Sequence, residues 1–282
     1  MTGSPRFAGR AAFVTGAASG IGRATALRLA SEGARIFACD VDKIGLDETV
    51  AAISRAGGSA VAHPLDVSDA AACRDAIAAA AARFEKLDVL CNIAGVMCWG
   101  HATAISEAEW SRVVAVNLSG VFFLCQAAVP HLVASRGVIV NMASAAGIKG
   151  QAYTLPYSVT KAAVIALTKC LALEFGKQGL RVVAVAPGGV KTALTAQTKF
   201  AEVRVAQERA VRALQESVRL SILRYTSGLA GYFEVLEAQQ QLFPAEISLA
   251  QVQLNQLLTV VTLYRALGGG WQLSDDQWSQ KP

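Results

Sequence analysis

The stretch TGAASGIG at residues 15–22 decides the fold of the first part of the chain. It follows the apolar run AAFV at 11–14 and opens a segment with helical periodicity, which indicates a turn between a buried strand and a helix. Glycine permits a tight turn, and free N–H groups at a helix N-terminus attract an anion. The turn therefore predicts a pyrophosphate cradle, unless it is an ordinary strand–helix loop. Its candidate contacts are Gly16, Ser19, Gly20, Ile21 and Gly22.

Residues 8–190 alternate between short apolar runs and longer segments with helical periodicity. The apolar runs begin at 11, 35, 59, 87, 137 and 181. The clearest helical segments lie at 21–31, 69–84, 107–133 and 160–175. Apolar strands between helices are typical of a parallel sheet covered on both faces. We therefore predict an α/β fold, a doubly wound Rossmann sheet of six strands, with a capping box at Ser106 and Glu109.

Composition argues against several classes of function. The chain has 282 residues and is 53% hydrophobic, much of it alanine, but no apolar run is long enough to predict a membrane span. We read no secretory signal at the start and expect a cytoplasmic protein. The six cysteines lack metal-type spacing, so we expect reduced thiols and no metal. The net charge of +5 forms no basic block, so nucleic-acid binding is not indicated.

Asp40 ends the second predicted strand. A carboxylate there can accept hydrogen bonds from the ribose hydroxyls of a dinucleotide and repel a 2′-phosphate. It predicts NAD rather than NADP as the cofactor, unless Asp40 only caps the next turn.

The sequence YSVTK places Tyr157 and Lys161 four residues apart, on one face of a helix. The lysine ammonium is expected to lower the pKa of the phenol, which could then exchange a proton with an alcohol or a carbonyl oxygen. Ser144 ends another predicted strand, at the edge where doubly wound sheets place their sites. The spacing of Tyr157 and Lys161 alone is common by chance.

Together these stretches resemble the short-chain dehydrogenase/reductase family over residues 7–198. The matching pieces are TGAASGIG, Asp40, LDV at 65–67, CNIAG at 91–95, VNLSG at 116–120, NMAS at 141–144, YSVTK at 157–161 and PGGVKT at 187–192. The resemblance implies NAD(P)-dependent interconversion of a small-molecule alcohol and its ketone or aldehyde. The segments 107–134 and 152–177 resemble the helices that pair in family dimers, which implies a homodimer.

The resemblance also implies a role for each matching residue. Tyr157 would be the general acid/base and Ser144 would hold the substrate oxygen. Lys161 would bind the nicotinamide ribose, and Asn117 would anchor a water in a proton relay. The other implied cofactor contacts are Asp66, Val67, Asn92, Ala94, Gly95, Pro187, Gly188, Val190 and Thr192. Ile93 and Val183 depart from the family pattern, which has asparagine at both places.

The sequence changes character after Phe200: no cysteine follows, and glutamine becomes common. We predict two domains, a dehydrogenase-like core at 1–199 and an antiparallel helical coiled-coil hairpin at 200–282. A heptad stripe is predicted in each helix. The first comprises Val211, Leu214, Val218, Ser221 and Tyr225. The second comprises Leu236, Gln240, Phe243, Ile247, Ala250, Leu254, Leu257, Val261 and Tyr264.

The family's substrate lid and seventh strand are not recognisable after Phe200, so the last strand would be a bare apolar edge unless the hairpin covers it. Residues 203–271, with FEVLEAQ and LYRALGGGW, instead resemble the end of outer-membrane efflux proteins of the TolC-like type. Glu234 and Glu237 match acidic positions near the tip of that family's hairpin, but a solvated helix face is the simpler interpretation. An impaired enzyme, an interaction protein and a chimera without a selected function remain alternatives.

Overall fold

The computed structural model describes residues 5–190 and 200–266. In this part of the chain, six parallel strands form one sheet with the order β3-β2-β1-β4-β5-β6. The strands are β1 Ala11–Thr15, β2 Arg35–Asp40, β3 Ser59–Pro64, β4 Val89–Asn92, β5 Val138–Met142 and β6 Arg181–Val185. The order reverses between β1 and β4, which opens a crevice at their carboxyl ends. The predicted doubly wound sheet of six strands is confirmed.

Helices follow the strands in alternation. They are α1 Gly20–Ser31, α2 Lys43–Arg55, α3 Ala70–Phe84, α4 Glu107–Val114, α5 Gly120–Ala134, α6 Ala145–Lys149, α7 Leu155–Phe175, α8 Phe200–Thr226 and α9 Tyr232–Ala266. The capping box of Ser106 and Glu109 begins α4 as predicted. The predicted helix at 107–133 is interrupted by a π-helical turn, Ala115–Ser119, which the sequence pattern did not indicate.

Two apolar layers cover the two faces of the sheet. On one face Phe13 and Leu90 belong to a buried cluster that includes Ile77 of α3 and Leu124 of α5. On the other face the buried cluster contains Leu29 of α1 together with Leu46 and Ile53 of α2. The central strands β1, β4 and β5 are therefore buried from both sides, as apolar strands of a parallel sheet require, whereas the edge strand β3 is only partly covered.

One segment in the described part of the chain, Glu107–Ala134, is long and apolar enough to cross a membrane by length and composition alone. Its α5 portion packs against the sheet with Leu124, Cys125, Ala128 and Leu132 buried. The core helix of an α/β protein passes the same test, so we interpret the segment as a core helix.

Helices α8 and α9 pack against each other in opposite directions. The rings of Tyr225 and Tyr232 lie 5.2 Å apart at the turn, and Gln215 donates to Glu246 over 2.9 Å further along. Gly228 in the turn has a φ of 71°, a conformation that glycine adopts without strain. The predicted pair of helices is present, with α8 ending at Thr226, close to the expected Tyr225.

The predicted heptad stripe of α9 is wrong over residues 236–250, and its other members, Leu254, Leu257, Val261 and Tyr264, lie outside the residues whose side chains the structure describes. Its members Leu236, Phe243 and Ile247 are 47%, 67% and 52% exposed, whereas Val235 and Ala238 are 2% and 9% exposed. A shift of one residue rotates a helix face by about 100°. The heptad count followed the largest apolar side chains, but the described buried residues of α9 lie on another face of this helix, which contacts α8 and β6.

Strand β6 is the edge of the sheet in the described residues, and α9 contacts it. Val182 and Val185 of β6 are buried. The bare apolar edge expected from the sequence is therefore at least in part covered by the hairpin. How far each of the two predicted domains extends stays a prediction.

Candidate active site

A cavity of about 470 Å³ opens at the carboxyl ends of the strands, at the crevice between β1 and β4. Segments from all parts of the sheet converge on it. The predicted residues that line it are Gly16, Ser19, Gly20, Ile21, Gly22, Asp40, Asp66, Val67, Ala94, Gly95, Ser144, Tyr157, Lys161, Pro187, Gly188 and Val190. Thr192 lies outside the described residues. The fold thus brings most of the predicted residues to one place.

The glycine turn forms one wall of this cavity. Gly16 has a φ of 68°, and a Cβ atom there would lie 3.0 Å from the backbone nitrogen of Ala94. A Cβ atom on Gly22 would collide with the carbonyl oxygen of Gly16. Ser19 precedes α1, but its side chain makes no capping hydrogen bond, so the first N–H groups of the helix have no side-chain partner at the cap. This is the cradle that a pyrophosphate needs.

Thr15 fixes the loop after β4 against this cradle. Its Oγ1 accepts hydrogen bonds from the backbone nitrogens of Ile93 at 2.9 Å and Ala94 at 3.1 Å, and it donates to the carbonyl of Cys91. The sequence interpretation gave Thr15 no role. The available signal was a small hydroxyl residue at the end of a buried strand.

Asp40 both holds its own turn and faces the cavity. Its two carboxylate oxygens accept hydrogen bonds from the backbone nitrogens of Ala18 at 3.0 Å and Asp42 at 3.1 Å. Asp40 therefore caps its turn, and its role in selecting NAD over NADP stays a prediction. Asp66 is arranged similarly and accepts from the backbone and the hydroxyl of Ser68 at 2.9 and 2.7 Å.

Ser144, Tyr157 and Lys161 meet on the opposite wall. Ser144 caps α6 by accepting from the backbone nitrogen of Ala146 over 3.2 Å, and its hydroxyl is close enough to the Tyr157 hydroxyl to affect the pKa of that group. The Lys161 ammonium lies 5.6 Å from the centre of the Tyr157 ring and donates to the carbonyl of Met142 over 2.7 Å. Both side chains from α7 are buried. A buried phenol beside a hydroxyl and an ammonium can exchange a proton with a bound alcohol or carbonyl.

The expected lowering of the tyrosine pKa is wrong for this structure. Burial raises the pKa of Tyr157, and the neighbouring Ser144 hydroxyl opposes that rise only in part. Burial also lowers the pKa of Lys161 to about 8. The sequence argument counted the attraction between the two groups and left out the loss of water around them, which dominates here.

Two predicted asparagines lie behind the cavity rather than in its wall. Asn117 belongs to the π-helical turn, and its amide exchanges two hydrogen bonds of 2.8 Å with the backbone of Val96. Asn92 is buried and donates to the Oδ1 atom of Asn141 over 2.9 Å. The role of Asn117 in a proton relay stays a prediction.

Several lining residues were not predicted. Arg112 of α4 lines the cavity and donates to the carbonyl of Met97 over 3.5 Å, which places a positive charge at the wall. It lies just over one helical turn before Asn117, and only the fold reveals that this face points inward. The remaining unpredicted residues are Cys39, Val41, Leu65, Ser68, Ile93, Val96, Ala115, Val116, Met142 and Ala143.

The described residues contain no group of three or more His, Cys, Asp or Glu side chains that could hold a metal. All six cysteines are free thiols. Burial raises the pKa of Cys91 and of Cys125 to about 12, so both stay protonated and inert near neutral pH.

Comparisons with known proteins agree with this geometry. The short chain dehydrogenase family model matches residues 10–203. A 2,5-dichloro-2,5-cyclohexadiene-1,4-diol dehydrogenase from Sphingobium indicum is 43% identical over 192 residues, which cover 68% of this chain and 77% of that protein. The chain belongs to the short-chain dehydrogenase family, and it is an oxidoreductase with a nicotinamide cofactor site.

Solved structures give the same result. NAD+-bound xylitol dehydrogenase superposes with a TM-score of 0.64 at 34% identity, over 66% of this chain and 72% of that one. The 3-ketoacyl-(acyl-carrier-protein) reductase from Brucella melitensis, complexed with NADH, has a TM-score of 0.64 at 33% identity, over 67% and 79% of the two chains.

A second family model, outer membrane efflux protein, matches residues 183–269. It covers α8 and α9 and overlaps the end of the dehydrogenase match. The chain is therefore similar to two unrelated families in consecutive regions, as the sequence indicated.

Proposed function

We propose that this protein uses NAD to interconvert a small-molecule alcohol and its carbonyl compound, with Tyr157 as the general acid/base. The observation that carries the proposal is the convergence of Ser144, Tyr157 and Lys161 on the cavity that also contains the glycine cradle. A dinucleotide held in that cradle would place its reactive end beside the tyrosine. The NAD+ and NADH complexes of the structural neighbours support the choice of cofactor class.

The residues present fit a dinucleotide. The close approach at Gly16 and the N-terminus of α1 suit the pyrophosphate, and the Asp40 carboxylate suits ribose hydroxyls rather than a 2′-phosphate. Asp40 keeps this capacity because each of its oxygens uses only one protein hydrogen bond. This is the basis for proposing NAD over NADP.

The nicotinamide supplies the acceptor or donor of the hydride, and the oxidised form adds a positive charge. The protein supplies the proton path and the geometry. Tyr157 would take the proton of the alcohol hydroxyl during oxidation and return it during reduction, while Ser144 holds the same oxygen. Lys161 would keep an ammonium beneath this pair, fixed by the carbonyl of Met142.

The hairpin of α8 and α9 would stabilise the sheet and would have no separate activity. Family members have a further strand beside the sixth, and here α9 contacts β6 instead. We propose that α9 protects this edge, which favours a structural role over an efflux-type interaction module.

The test is a panel of secondary alcohols with NAD, followed by the absorbance of NADH. At least one alcohol should support turnover that the Tyr157→Phe protein does not. Tyr153→Phe is the matched control, because Tyr153 is exposed and lies four residues earlier. Equal turnover in the wild type and Tyr157→Phe would exclude the proposed acid/base.

A further inference from the structure

A second cavity, of about 210 Å³, lies at the opposite end of the sheet from the candidate active site. It opens at the amino ends of β4, β5 and β6, where Val89, Val138 and Arg181 begin or adjoin these strands. Its walls include four arginines from three distant parts of the sequence: Arg6, Arg10, Arg136 and Arg181. A guanidinium keeps its charge at any physiological pH, so this cavity stays positive.

Two of the four arginines are neutralised by carboxylates. Arg6 pairs with Glu32, and Arg10 pairs with the buried Asp88 over 2.6 Å. Asp88 also pairs with Lys86 at 3.1 Å and accepts from the backbone nitrogen of Ala11 at 2.8 Å. The carboxylate of Asp88 therefore interacts with other groups and does not neutralise Arg136 or Arg181.

The other two arginines have no such partner. Among the residues that the structure describes, Arg136 and Arg181 make no ion pair and no side-chain hydrogen bond. They line the same cavity, and the backbone nitrogen of Arg181 donates to the carbonyl of Gly137, next to Arg136. Both residues are exposed, so two positive charges line one cavity without a counter-ion on the described protein.

The backbone of Arg136 has a conformation that is unusual for a residue with a side chain. The nitrogens of Arg136 and Gly137 donate to the carbonyls of Val133 and Leu132, the pattern of a Schellman motif at the end of α5. Arg136 occupies the left-handed position of that motif, with a φ of 51°, where glycine is the unstrained choice. The stem of Arg136 lies over Gly179, which has no side chain to obstruct it. What arginine adds at this strained position is its guanidinium.

We propose that this cavity binds a phosphoryl dianion through Arg136 and Arg181. Guanidinium groups bind phosphate oxygens with paired, charge-assisted hydrogen bonds, and two unpaired cations match the charge of a dianion. The phosphoryl group is either free inorganic phosphate or part of a phosphorylated small molecule. The site is separate from the cofactor cradle, so it does not depend on the proposed function.

The test is calorimetric titration with inorganic phosphate and, separately, with glycerol 3-phosphate, at constant ionic strength. The wild type should bind. The Kd should rise by roughly tenfold or more in Arg136→Gly and in Arg181→Gln, because each substitution removes a charge-assisted contact. Arg55→Gln, at an exposed arginine without an ion pair in the described residues, is the control and should bind as the wild type does.

Arg136→Gly separates binding from folding. Glycine relieves the positive φ, so the melting temperature in phosphate-free buffer should stay the same or rise while phosphate binding is lost. Tighter binding of the phosphomonoester assigns the site to a phosphorylated small molecule, and equal or weaker binding assigns it to free phosphate. The proposal is overturned if neither probe binds, or if Arg136→Gly and Arg181→Gln bind both probes as well as Arg55→Gln does.

Discussion

The ammonium of Lys161 lies 2.7 Å from the carbonyl oxygen of Met142, at the end of β5, and 5.6 Å from the centre of the Tyr157 ring. This hydrogen bond ties α7 to the sheet directly beneath the tyrosine. It also keeps a charged group out of water, and burial lowers the pKa of Lys161 from 10.5 to about 8. The site therefore holds a cation at a cost to the stability of the fold.

That cost predicts a dependence of stability on pH. Below about pH 8 Lys161 is protonated in the folded and unfolded states, and the cost is fully present. Between about 8 and 10.5 the folded state loses the proton first, so stability rises with pH. As the pH rises, the free energy of unfolding of the wild type should therefore increase relative to that of Lys161→Met, by up to about 1 kcal/mol per pH unit.

Urea unfolding of both proteins without cofactor, from about pH 7 to 9.5, measures this difference. Other titrating groups, the cysteines included, are common to the two proteins and cancel in the comparison. A difference that stays constant across this range would show that Lys161 is not strained by burial.

Replacement of the proposed acid/base should separate chemistry from binding. Tyr157→Phe removes the hydroxyl that faces Ser144 but keeps the buried ring. We expect kcat to fall by about 10²- to 10⁴-fold, the usual contribution of a general acid/base, with little change in the Kd for NAD. A large loss of NAD affinity would instead indicate a structural defect.

Asp40 should determine the choice between the two nicotinamide cofactors. In Asp40→Asn the charge that repels a 2′-phosphate is lost, and the ratio of the Kd values for NADP and NAD should fall by roughly tenfold or more. Asp42→Asn is the control, since Asp42 caps α2 through the backbone of Gly45. An unchanged ratio in Asp40→Asn would leave Asp40 with the turn-capping role alone.

The buried face of α9 can be tested with two adjacent residues. Val235→Asp puts a charge at a buried position and should cost about 2 kcal/mol or more, with aggregation through the uncovered edge of β6. Leu236→Asp changes a half-exposed neighbour and should be tolerated. Thermal unfolding and light scattering compare the two. A larger loss of stability in Leu236→Asp than in Val235→Asp would support the heptad stripe expected from the sequence.

Local patterns were sufficient to predict the sheet and most of the site. Six apolar runs became the six strands, and the glycine turn after β1 lies where its residue types suggest, because tight turns and helix N-termini are set by neighbours in sequence. The motif residues then share one cavity because parallel strands end at one edge.

Contacts between distant segments account for what the sequence did not reveal. Thr15 acts on Ile93 and Ala94, far along the chain, and no local pattern marks that pair. The rotation of α9 depends on β6 and α8, so the largest apolar side chains were a poor guide to its buried face. The pKa of Tyr157 depends on burial, which sequence spacing does not report.

Titration of the folded wild-type protein with NAD by calorimetry tests the central claim most directly. We expect saturable binding of one NAD per chain, with a similar Kd in Tyr157→Phe. The absence of binding at millimolar NAD, in protein whose circular dichroism shows the folded sheet and helices, would contradict the assignment of this cavity as a working cofactor site.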